Sequence, residues 1–230
     1  MGFSLFSNDT FLIGFNQNQL ISSHLYPIFL PKIHRFFTFI RSLNPHTTME
    51  HIIEILKSGG TILYPTDTIW GIGCDATNIE AVNKIFDIKK REKNKSMIIL
   101  VESEKRLQDL VDVPEMAWEI IDLSEKPVTI VYENPRGLPK ELLAEDGSIG
   151  IRLVKNDFCK KLITKLNRPL VSTSANFSGE KSPLKFSDIS EEMISLVDYA
   201  VEEDREKVSK YSGSSVIKIW NDNRIKVLRE

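Results

Sequence analysis

The feature that most limits the fold is a change of hydrophobic period that repeats along the chain. From residue 49 onward, short apolar runs bounded by Gly, Pro, Asn or Ser alternate with stretches whose apolar residues recur at helical spacing. Strand-length runs alternating with amphipathic helices imply an α/β or α+β sandwich around one mixed sheet. Ile52, Ile53, Ile55 and Leu56 mark a first helix, closed by Gly59-Gly60. A buried strand at 61–64 follows and stops at Pro65. Asn78 caps a second helix with Ala81, Val82, Ile85 and Phe86 on its apolar face. Strands are expected at 97–101, 128–132, 148–154 and 169–172, and helices at 103–111, 114–123, 157–166 and near 187–196. The end is strand-rich, at 198–201, 214–220 and 224–228, with Asn221-Asp222-Asn223 as the final hairpin turn. Trp70-Gly71-Ile72-Gly73 reads as a tight loop.

Residues 1–48 do not share this pattern. They hold eight of the twelve phenylalanines, three of the four histidines and one acidic residue, Asp9. Pro27 and Pro31 interrupt their apolar run, which is far short of the roughly 20 residues that span a bilayer. Asp9 and Asn16-Gln17-Asn18-Gln19 do not suit a secretory signal. The expectation is a poorly structured extension, with Met49 as a natural start and 49–230 as the working domain.

Few residue types are left to carry chemistry. Beyond His51 there is no histidine, so the main body holds no imidazole for a triad or a histidine metal site. Cys74 and Cys159 form no CxxC pair, which argues against thiolate zinc or a disulfide framework and fits a reducing cytoplasm. Cys74 is expected to be a small buried hydrophobe. The net charge is −2, so no global field draws the chain to nucleic acid or membrane, and any polyanion must be held by a local patch.

Two segments supply such a patch. Lys89-Lys90-Arg91, followed by Lys95, is a cationic cluster between a helix and a strand. Arginine presents a bidentate fork to phosphate oxygens and lysine a mobile point charge. Ser172-Thr173-Ser174-Ala175-Asn176 follows an apolar strand, and alternation puts Ser172, Ser174 and Asn176 on one side if extended geometry persists. Together they suit a polyphosphate, although each alone reads first as a structural feature, a solvated turn for the cations and a helix cap for the serines. Tyr64-Pro65-Thr66-Asp67-Thr68 is a third element. It contains neither a Walker A loop nor GxGxxG, and spacing does not separate Asp67 from Asp75 as a base or Mg2+ contact. Arg152 lies inside the apolar run Ile149-Gly150-Ile151-Arg152-Leu153, where an unpaired charge is costly, so a carboxylate of the protein or a ligand must meet it.

In this order the pieces resemble the YrdC-like family, the threonylcarbamoyl-AMP synthases, in their short, single-domain form. The resemblance runs over residues 50–230. It covers Gly59-Gly60-Thr61, the stretch from Tyr64 through Asp75, Lys89-Lys90-Arg91 (the family's KxR), Pro127-Val128-Thr129 and Ile149-Gly150-Ile151-Arg152. It continues through Ser172 to Gly179 (the SxN motif), Gly213-Ser214-Ser215-Val216-Ile217 and Val227-Leu228-Arg229. Glu92 stands where the family usually has proline, and Glu125-Lys126 where small residues are usual. The chain runs one residue past Arg229, which suggests a form without the additional C-terminal domain.

The resemblance implies a twisted mixed-sheet α/β sandwich with a concave, positively lined cavity. It implies that L-threonine, bicarbonate and ATP, with Mg2+, yield threonylcarbamoyl-AMP and pyrophosphate for t6A modification at position 37 of ANN-decoding tRNAs. A separate transferase would pass the group to tRNA. Lys89 and Arg91 would be catalytic. ATP would be held by those two with Lys95, Ser148, Ser174, Asn176, Ser182 and Arg229. Threonine would be held by Thr68, Arg152, Ser172 and Ser214, with Arg152 on its carboxylate. An alternative is a double-stranded RNA or tRNA-binding module of the same fold.

Overall fold

The computed structural model describes residues 48–90 and 97–230. Its elements are α1 (Thr48–Lys57), β1 (Ile62–Tyr64), β2 (Gly71–Gly73), α2 (Ile79–Ile88), β3 (Ile98–Val101), α3 (Glu104–Leu110) and α4 (Glu115–Leu123). They continue as β4 (Val128–Tyr132), β5 (Ile149–Leu153), α5 (Asp157–Leu166), β6 (Leu170–Ser174), α6 (Glu191–Leu196), β7 (Tyr199–Ala200), β8 (Ser215–Ile219) and β9 (Ile225–Arg229). Local chemistry sets the helix starts. The Asn78, Ser103, Asn156 and Ser190 side chains accept from backbone N–H groups of the first turns of α2, α3, α5 and α6.

The strands run in the order β7-β1-β2-β6-β3-β5-β4-β8-β9. Pairings β1–β7, β3–β5 and β4–β8 are parallel and the rest antiparallel, giving the expected mixed sheet. The period of two then divides the interior between the two faces. Leu63, Ile99, Val101 and Val171 join one core with Val82, Ile85 and Phe86 of α2. Ile62, Tyr64, Leu100 and Leu170 join another with Leu56 of α1 and Leu162 and Ile163 of α5. The two clusters make a layered sandwich, and the central strands carry apolar residues on both sides.

Three expectations change. Gly71-Ile72-Gly73 is a strand between β1 and β6, not a loop. A three-residue strand with two glycines lacks the side-chain alternation that announces strands, and its glycines serve close approach: a Cβ on Gly73 would lie 2.3 Å from the Val171 carbonyl oxygen. The strand expected to stop at Ser172 runs to Ser174, so the serines sit on a paired strand, not on a turn. The helix near 187–196 begins as a 3-10 turn, Phe186–Asp188, before Ser190 starts α6. Cys74 is fully buried, as expected, and burial pushes its thiol far up, with the Asp75 charge adding to the effect. No described helix is long and apolar enough to cross a membrane.

Candidate active site

The β1–β2 connection builds one wall of the site. After Pro65 ends β1, the Thr66 hydroxyl donates to the Ile69 carbonyl (2.7 Å) and accepts from the Thr68 backbone N–H (3.0 Å). The two threonine hydroxyls are 3.1 Å apart. This tight turn presents Asp67 and Thr68 to Arg152 on β5. The Arg152 guanidinium donates from Nη1 to Asp67 Oδ1 (2.7 Å) and to Thr68 Oγ1 (3.0 Å). The buried charge expected on β5 thus meets a protein carboxylate. Arg152 Nε and Asp67 Oδ2 are both buried with no hydrogen-bond partner among the described residues.

A second wall comes from β6 and the end of α2. Lys89 is the C-cap residue of α2, and Lys90 follows at φ 51°, in the left-handed region. The turn sends the two side chains apart. Lys90 reaches outward, 4.6 Å from the centre of the Phe177 ring and 3.4 Å from Glu192. Lys89 is 1% exposed and donates to the carbonyls of Ser174 (2.5 Å) and Asn176 (2.6 Å). It fastens the end of β6 to α2. The third wall joins the approach to β8 with β9. Arg229 donates from Nε and Nη2 to the Ser214 carbonyl, at 3.1 and 2.9 Å, and the Ser214 hydroxyl lies 2.8 Å from that of Thr129. Partial burial and the nearby Arg152 charge lower the Arg229 pKa from its ordinary value.

These walls enclose an open cavity of about 200 Å³. Seven of the twelve residues named from sequence line it: Thr68, Arg152, Ser172, Ser174, Ser182, Ser214 and Arg229. Among the described residues the lining carries two arginines and many hydroxyls and no Asp, Glu, His or Cys. Lys89, Ser148 and Asn176 are not in the lining. Ser148 donates to Asp146 Oδ1 (2.5 Å), and Asp146 also binds the Lys218 ammonium. Those bonds, Lys218 first, hold the Asp146 pKa down at about 2. The Asn176 amide donates to the Phe177 and Glu180 carbonyls, and its Oδ1 is buried without a described partner. Arg91, Lys95 and Glu92 lie outside the described residues.

Sequence did not separate the two aspartates, but their surroundings do. Asp75 accepts from the Thr77 backbone N–H and hydroxyl and from Arg168, a closed structural set. Asp67 instead faces the cavity arginine and lines an adjoining cavity of about 480 Å³ that shares Thr66 and Thr68 with the first. No group of three His, Cys, Asp or Glu side chains among the described residues could hold a metal ion. Among the described residues the lining offers arginine and hydroxyl hydrogen-bond donors and no carboxylate, imidazole or thiol.

The frame is a mixed α/β sandwich with a cavity lined by two arginines and several hydroxyls. The chain belongs to the Sua5/YciO/YrdC family, described as "Telomere recombination", whose profile matches residues 54–230. A Methanocaldococcus jannaschii protein provisionally named a threonylcarbamoyl-AMP synthase is 35% identical over 181 residues, covering 76% of this chain and 84% of that protein. A threonylcarbamoyl-AMP synthase from Pseudoalteromonas translucida is 29% identical over 165 residues, with coverages of 70% and 88%. The crystal structure of P. abyssi Sua5 with L-threonine superposes with a TM-score of 0.68 at 24% identity over 74% of this chain. This chain spans half of that Sua5's length.

Proposed function

We propose that this chain is an L-threonylcarbamoyladenylate synthase, a nucleotidyltransferase that converts L-threonine, bicarbonate and ATP to threonylcarbamoyl-AMP and pyrophosphate. The activity is assigned to residues 49–230, with 1–48 as an extension, and to the cytoplasm, which the two free buried thiols suit. One observation carries the reading: in a chain related to synthases of this name, the cavity brings Arg152 and Arg229 together among hydroxyls, with no acidic side chain among the described residues of its lining.

The chemistry needs little more. The threonine amine combines with bicarbonate, releasing water, to give a carbamate. A carbamate oxygen attacks the α-phosphorus of ATP, the bond to the β-phosphate oxygen breaks, and pyrophosphate leaves. The carbamate is already an anionic nucleophile, so alignment and charge neutralisation are the main demands on the protein. In this assignment Arg152 pairs with the threonine carboxylate, and Thr68, Ser172 and Ser214 surround the amino acid. Arg91 and Lys95 hold the phosphates, and Ser174, Ser182 and Arg229 face the nucleotide. Ser148, Asn176 and Lys89 support that side from behind. Mg2+ enters as the counter-ion of ATP. The product passes to a t6A transferase acting on tRNA.

The test is pyrophosphate release with ATP, bicarbonate and each amino acid in turn. Threonine-dependent release is expected, lost in Arg91→Ala with the fold intact. Threonine-independent release, or none, overturns the proposal. The RNA-binding alternative is not favoured: a net charge of −2 supplies no general attraction to a polyanion.

A further inference from the structure

We propose that Asp67 is a positioning residue that aims Arg152 at the substrate carboxylate. The inference rests on the synthase reading and extends it to a residue with no assigned role. The guanidinium is a planar fork with five N–H donors. Both donors of Nη1 are used, one on Asp67 Oδ1 at 2.7 Å and one on Thr68 Oγ1 at 3.0 Å. The free edge is the one formed by Nε and Nη2. Nε has no partner, and no hydrogen bond joins Nη2 to the described residues. Nε is enclosed by the protein, so Nη2 is the donor left for a ligand carboxylate, in a charge-assisted hydrogen bond.

Arg152 reaches the cavity from β5, whereas Asp67 comes from the β1–β2 connection. The side chains are 4% and 10% exposed, so water does little to loosen the pair. The β1–β2 turn is itself pinned through Thr66, which ties the loop geometry to the direction of the guanidinium. The pair is also the divide between two cavities, with Arg152 lining the smaller and Asp67 the larger. Asp67 therefore never needs to touch threonine. It fixes Nη1 of Arg152 and leaves Nη2 for the ligand.

The sign of the effect separates aim from charge. Removing a negative charge beside the site would by itself strengthen anion binding. Weaker binding in its absence therefore reports lost orientation. Threonine affinity is measured by calorimetry, and KM and kcat from pyrophosphate release, for wild type, Asp67→Ala and Asp67→Asn. Asp67→Ala is expected to raise the threonine Kd and KM about tenfold or more, with the ATP KM and the kcat at saturating threonine within about threefold. Asp67→Asn keeps an oxygen acceptor for Nη1 and should lose less, about threefold. If Asp67→Ala does not fold, Asp67→Asn decides alone. Threonine binding that is unchanged or tighter in the folded variants overturns the inference and leaves the synthase reading intact. A wild-type protein that does not bind threonine overturns both.

Discussion

Lys89→Met tests whether this lysine holds the protein or the nucleotide. The substitution keeps the length and apolar stem of the side chain and removes only the ammonium. In the structure that ammonium donates at 2.5 and 2.6 Å to the Ser174 and Asn176 carbonyls, and the residue is 1% exposed. Charge-assisted bonds of this kind each contribute roughly 1.5–3 kcal/mol, and a buried carbonyl left unpaired costs about 1–3 kcal/mol. Relief from burying a charge offsets part of this. The expected net loss is about 2–4 kcal/mol, which for a body of this size lowers Tm on the order of 5–10 °C. Urea unfolding supplies the stability and pyrophosphate release the activity. Because Ser174 faces the cavity, its displacement should also raise the ATP KM. A variant that keeps its stability and loses only ATP affinity would refute the argument, since that outcome belongs to a lysine bound to phosphate.

Two further outcomes follow from the packing and the charges. Gly73→Ala should cost about 3 kcal/mol in urea unfolding, because the added methyl would sit 2.3 Å from the Val171 carbonyl oxygen and 2.7 Å from the Tyr64 ring. An unchanged midpoint would mean that β2 and β6 can separate freely. Asp146, lowered to about 2 chiefly by Lys218, contributes stability that is full above about pH 4 and lost as pH falls through about 2. The Tm gap between wild type and Asp146→Asn should therefore be constant from pH 7 to about pH 5 and close near pH 2; a gap that persists there would remove this carboxylate as its source.

Much of the fold could be read from the chain because its signals are local. The cap at Asn78 and the apolar face from Ala81 to Phe86 need no knowledge of distant residues, and the helix forms where they place it. β2 could not be read this way: its glycines are explained only by β1 and β6, which come from opposite halves of the sequence. The site divides in the same manner. Hydroxyls of the serine strand and the charge inside β5 were visible as types, and seven of the named residues do line one cavity. The direction of Lys89 was not visible, because a run of charges reads as solvated surface. It is set by a left-handed turn at Lys90 and by carbonyls more than eighty positions away. Asp67 and Asp75 were alike as letters and differ only in which cation the fold brings to each.

The cations near this cavity share a design that bears on how it would bind an anion. Among the described residues each is held by fixed acceptors: Arg152 by Asp67 and Thr68, Arg229 by the Ser214 carbonyl, Lys89 by two carbonyls. Fixing the donors in advance reduces the ordering cost of binding. It also keeps like charges close: partial burial first, and the Arg152 charge second, lower the Arg229 pKa. A single anion placed between the two guanidinium groups is attracted by both. In the proposed assignment Arg152 meets the threonine carboxylate and Arg229 faces the nucleotide, so the charge of each ligand is felt at the other's site without any moving part. Charge alone makes that coupling unfavourable, because the two bound anions repel each other; mutual tightening of threonine and ATP, equal in both directions by linkage, would therefore report contacts beyond the two guanidinium groups.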